Sequence, residues 1–129
     1  MHLRLLETTS QAEEAVNGLL EGYSPRMLYA FRVGARRIRS ILRQIDSHRS
    51  RGLRKTWGGF AAVTGPARDW DVFVITLEKM QQAGILEAFL ETNHERIRSS
   101  HDAVIEMFRS APWRRHLVEW HQFLEQAEE

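Results

Sequence analysis

Four arginines, Arg32, Arg36, Arg39 and Arg43, follow one another at steps of four, three and four. On a helix this spacing stacks them in one stripe, about 16 Å long at 1.5 Å of rise per residue. Each like-charged pair at such a spacing costs an isolated helix about 0.2–0.5 kcal/mol. No acid within the stripe relieves that repulsion. A planar guanidinium fork matches phosphate oxygens two at a time. The chemistry offered is therefore binding of a phosphate-rich anion. The competing explanation is a solvated face neutralised by acids of other helices, such as Asp69, Asp71 or Glu78. Tyr29 falls on the arginine side of the helix, whereas Arg26 and Arg37 point further round it.

The surrounding charge favours the first explanation. Between Ser24 and Phe60 stand ten basic residues, nine of them arginine, and one acid, Asp46. The remainder of the chain has eight basic and sixteen acidic residues, so a formal net charge of +1 conceals two oppositely charged parts. Such asymmetry within about one domain's length points to an anionic partner for the basic part. Arg51, Arg54 and Lys55 extend the surface if the helix carrying them packs antiparallel to the stripe helix. Arg68 stands beside Asp69 and Asp71, and an intramolecular salt bridge is the expectation for these three.

The elements that must position these groups read as helices. Ser10 with Glu13 resembles a capping box, and Gly22 lies just past a first helix over about 10–21. Ser24-Pro25 then gives an N-cap and a proline at the first helical position. The second helix should run to about Ser47, with Leu28, Phe31, Ala35, Ile38, Leu42 and Ile45 as its apolar stripe. A third, about 50–63, carries Leu53, Trp57, Phe60 and Val63 and is weakened by Gly58-Gly59. Gly65-Pro66 stops it. A fourth begins near Arg68, with Asp69 and Asp71 in its first turn, where carboxylates suit the helix dipole. Val72 to Ile75 has strand-like composition, but Leu77 and Met80 continue a helical pattern. A fifth helix covers about 85–109, and Ala111-Pro112 opens a sixth with Trp113, Leu117, Trp120 and Leu124. The expectation is one all-α domain over 1–129, a bundle of five to six helices with short loops.

Two segments carry a resemblance. One is Tyr29-Ala30-Phe31-Arg32-Val33-Gly34-Ala35-Arg36-Arg37-Ile38-Arg39-Ser40-Ile41-Leu42. The other is Gly65-Pro66-Ala67-Arg68-Asp69-Trp70-Asp71-Val72. In this order and about 30 residues apart, they resemble the first half of the CHAD family, the conserved histidine α-helical domain. The resemblance implies a helical domain that binds inorganic polyphosphate in a basic cavity, with Arg32, Arg36, Arg37, Arg39 and Arg68 at the matching basic positions. The family's histidine falls at Tyr29, which keeps a hydrogen-bond donor but cannot become cationic. Members usually have a second basic half. Here the last stretch offers Arg114, Arg115 and His116 but no second double-arginine stripe, so either the chain is a fragment of a two-half domain or, the favoured expectation, a homodimer rebuilds the two-half arrangement.

Other classes find less support. Nucleic acid is the rival ligand, but the stripe lacks base-reading amides and has Tyr29 as its one aromatic. Glu91-Thr92-Asn93-His94 is a single Glu-x-x-His unit, and di-iron bundles need two, so a metal-binding bundle is the weaker rival. No cysteine, nucleophile elbow or P-loop is present. The chain reads as a non-enzyme with no catalytic residues, cofactor or metal. Without a membrane-length apolar run or a signal-like start, a cytoplasmic protein away from membranes is expected. Trp57, Trp113 and Trp120 are expected in the core, and Trp70, between two acids, near a subunit interface.

Overall fold

Ser24 and Pro25 start the helix that carries the arginines, as their types dictate. The Ser24 side chain accepts a hydrogen bond from the Met27 amide at 3.3 Å, and Pro25 fills the first helical position. A computed structural model of the chain describes residues 1–128. Among the described residues there are six helices and no strand: α1 (His2–Glu21), α2 (Pro25–Arg43), α3 (His48–Val63), α4 (Gly65–Lys79), α5 (Ala83–Arg109) and α6 (Ala111–Glu128). The molecule is an all-α helical bundle. No helix among the described residues is long and apolar enough to cross a membrane.

The apolar face of α2 is the centre of the core. Leu28, Phe31, Ala35, Ile38 and Leu42 are buried, and Ile45 packs half-buried against them. Small residues let α1 approach closely: a Cβ added at Gly34 would meet the Cβ of Ala12 at 3.1 Å. Aromatic rings fill the opposite side. Phe31 lies edge-on to Phe108 at 4.8 Å, and Trp57 lies edge-on to Trp113 at 5.8 Å and to Trp120 at 5.5 Å. Such tilted contacts suit the ring quadrupole. The Trp120 indole N–H donates to Thr9 Oγ1 at 3.0 Å, which ties α6 to α1. All three tryptophans expected in the core are there, while Trp70 is half-buried.

Several boundaries differ from expectation. Ser10 does not start α1, which begins at His2. Leu5, Thr8 and Thr9 are buried in line with Ala12, Val16 and Leu19, so tertiary burial carries the helix past the local cap signal. Nor does α2 run to Ser47. It ends at Arg43, and Ser47 caps α3 in a reciprocal pair with Ser50. Gly58-Gly59 leaves α3 unbroken. The fourth helix starts three residues before Arg68, so Asp69 and Asp71 lie beyond its first turn. Val72 to Ile75 is helical, as Leu77 and Met80 indicated. A turn with Gln81 at φ 55 joins α4 to α5, which opens at Ala83. Most of α4 and the first half of α5 form a hairpin with little buried surface: α4 buries Ala67 and Asp71, and α5 buries Val104 and Phe108 near its end.

Candidate anion-binding cleft

The stripe face of α2 lies against α3, and the contacts show the two helices to be antiparallel. Arg39 packs on Gly58, whereas Arg32, seven residues earlier, reaches Ala61 and Thr64. Arg32 Nη1 donates to the Ala61 carbonyl at 3.0 Å and to Thr64 Oγ1 at 2.7 Å. The last carbonyls of a helix lack intrahelical donors and carry partial negative charge, so a guanidinium suits the end of α3. One arginine of the stripe is thus anchored by backbone rather than by an acid.

Arg39 sits differently. A Cβ at Gly58 would fall 3.2 Å from its Nε, Cζ and Nη2 atoms, so the missing side chain gives the guanidinium its space. Its Nε is buried and meets no protein acceptor. Buried donors normally have a partner, and one without is a place to look for a ligand. A further cation comes from α4. Arg68 lies over the ring of Tyr29, its Cζ 4.7 Å from the centroid. Gly65-Pro66 starts α4 immediately after α3 and so brings this arginine back beside α2.

Together these residues line a cleft of about 290 Å³, formed by Tyr29, Arg32, Val33, Arg36, Arg39, Ala61 and Arg68. No carboxylate contributes to the lining. Among the described residues, the ion pairs are Arg51–Asp46, His94–Glu95, His101–Asp71 and His121–Glu13. None involves an arginine of α2 or Arg68. The explanation by acids from other helices therefore fails for the stripe.

The remaining candidates lie elsewhere. Arg43 and Arg37 are exposed on α2 outside the cleft lining. Although α3 is antiparallel as the extension required, Arg51 is paired with Asp46 at 2.7 Å instead of joining the cleft. Arg54 is half-buried and Lys55 exposed, and neither lines the cleft. Arg68 forms no salt bridge with Asp69 or Asp71, contrary to expectation. Asp71 is buried and committed elsewhere: it accepts from the Tyr23 hydroxyl at 2.5 Å and faces His101 Nε2 at 3.1 Å. The Tyr23 and His101 rings stack at 3.6 Å. Burial, then the hydrogen bond to Asp71, pushes the Tyr23 phenol well above its ordinary pKa. This cluster ties the turn before α2 to α4 and α5, and so fixes the helix that delivers Arg68.

His94 turns to Glu95 at 3.2 Å and His101 to Asp71, so the two histidines serve separate contacts. Among the described residues, no three His, Cys, Asp or Glu side chains converge on a point that could hold a metal. Sequence reasoning missed Gly58, Ala61 and Thr64. Only the glycine pair gave a signal, as an unexplained weakness in α3.

The family model of the CHAD domain matches residues 4–129. The chain belongs to the CHAD family. The match extends beyond the two motif segments on α2 and α4 and takes in almost the whole chain. No curated protein and no solved structure matches it. In this CHAD domain Tyr29 forms the wall on which Arg68 rests.

Proposed function

We propose that this CHAD domain binds inorganic polyphosphate, or a closely similar polyanion, without catalysing a reaction. One observation carries the reading: Arg32, Arg36, Arg39 and Arg68 converge on one cleft that has no carboxylate in its walls. Gathering guanidinium groups without counter-charge raises the free energy of the unliganded protein. An anion that neutralises them recovers that free energy and gains charge-assisted hydrogen bonds. Arg32 is already oriented by α3, so little freedom is lost there on binding. The buried Nε of Arg39 supplies a donor for a phosphate oxygen.

At about 290 Å³ the cleft lies at the lower limit of ligand pockets, about 300 Å³. It suits a short run of phosphates, and a longer chain continues over exposed Arg43 at the far end of the stripe. Nucleic acid is the weaker reading because the cleft lining has no base-reading amide and Tyr29 as its one aromatic.

The deciding experiment is titration with long-chain polyphosphate at low salt, with duplex DNA as competitor. Tight, salt-sensitive binding with weak displacement by DNA supports the reading. Equal displacement reduces the protein to a generic polyanion binder, and no binding at low salt removes the proposal.

A further inference from the structure

The side of α4 turned away from Ala67 and Asp71 is largely open to solvent. At 100° per residue, Asp69, Val72, Phe73, Thr76, Lys79 and Met80 share one half of the helix surface. All six are exposed, with Phe73 at 58% and Met80 at 52%. Phe73 is stacked on Phe89 of α5 at 6.1 Å, and this contact leaves most of its ring in solvent. Just past the turn, Ile85 is likewise 50% exposed. A contiguous exposed apolar strip on a helix marks an interaction surface.

The charges at its two ends identify the occupant. Asp69 stands at the start of the strip and Lys79 at its end, with Val72, Phe73 and Thr76 between. A two-fold axis through the middle lays α4 antiparallel on its own copy. Each Asp69 then faces the second copy's Lys79 while the apolar residues meet at the centre. A self-complementary patch of this kind is what an isologous interface requires. We propose that two copies of this chain pair across the exposed face of α4 in this register.

The pairing needs no ligand. Its consequence rests on the polyphosphate reading: Arg68 neighbours Asp69, so pairing sets one basic cleft on each side of the interface, and a long anion that reaches both gains effective concentration.

Sedimentation without any polyanion, over about a hundredfold range of protein concentration, tests the pairing by mass action. The wild-type mass is expected to rise from one chain to two. Phe73→Glu is expected to stay a single chain throughout. Asp69→Lys and Lys79→Asp should each weaken association, and the double variant Asp69→Lys/Lys79→Asp should restore it. A wild-type protein that stays a single chain, or a Phe73→Glu protein that pairs like wild type, overturns the proposal. A double variant no stronger than the singles overturns the antiparallel register. Because no ligand is present, failure here is distinct from failure of polyphosphate binding.

Discussion

Arg68 lies across the ring of Tyr29, with its guanidinium carbon 4.7 Å from the ring centroid, so that α4 contributes a cation to a wall built by α2. A cation over an aromatic face at an exposed site is stabilised by about 0.5–1 kcal/mol. Tyr29→Phe keeps the ring and should bind polyphosphate nearly as wild type. Tyr29→Ala leaves Arg68 unsupported and should weaken binding about twofold to fivefold, the same range converted to affinity. Titration calorimetry on both variants checks this.

Arg36 and Arg39 have no acidic partner among the described residues, so replacing them breaks no ion pair. The double variant Arg36→Gln/Arg39→Gln should bind polyphosphate weakly, show a shallower salt dependence, and keep or raise its unliganded melting temperature. Arg32→Ala should behave differently. It removes both guanidinium hydrogen bonds to the end of α3, while the Ala61 carbonyl keeps the Thr64 amide and hydroxyl as donors, so the loss should be about 1 kcal/mol of stability. Unfolding of Arg36→Gln/Arg39→Gln under conditions where wild type is folded would show those arginines to be structural.

Gly58 separates helix stability from binding. Alanine favours a helix interior by about 0.8–1 kcal/mol over glycine, but here its Cβ would press on the Arg39 guanidinium at 3.2 Å. Gly58→Ala should therefore lower polyphosphate affinity without lowering the melting temperature. At Gly59 nothing lies within 4 Å, so Gly59→Ala should stabilise the protein and leave affinity unchanged. Thermal melts paired with binding isotherms on the two variants make the comparison.

His116 of α6 gives the fold an acid sensitivity. It is buried, its ring 4.6 Å from Trp57, 5.2 Å from Phe60 and 5.6 Å from Trp113, and neither ring nitrogen meets a protein partner. Burial pushes its pKa down from 6.5 to about 4. Between these values the unfolded chain binds the proton and the folded one does not. Stability should accordingly be full above about pH 6.5 and fall as pH drops towards about 4, by about 3 kcal/mol in total. Denaturant midpoints from pH 7 to pH 4 measure this. His116→Phe should flatten that part of the profile.

Ligand should protect the fold in proportion to its affinity, by about 2.7 kcal/mol at a hundredfold excess over Kd. Long-chain polyphosphate at low salt should raise the melting temperature of wild type and leave that of Arg36→Gln/Arg39→Gln nearly unchanged. An unshifted wild-type melt would count against the cleft.

Much of the scaffold was legible in the chain because helical periodicity is local. Ser24-Pro25 starts α2, and its three-and-four spacing of apolar residues decides which face is buried and which carries Arg32, Arg36 and Arg39. The same spacing placed Trp57, Trp113 and Trp120 in the core. Local signals failed where burial overruled them, as at Ser10, which tertiary packing left in the middle of α1.

The sequence by itself determined that the protein would be helical, and that one helix would present stacked cations beside an apolar stripe, because both follow from 3.6 residues per turn. Tertiary structure alone decided what each cation meets. It gave Arg32 to the end of α3, Arg39 to the space at Gly58 and Asp71 to Tyr23 and His101. These partners lie far apart in the chain. Which of them meet depends on how whole helices pack, and no local spacing encodes that.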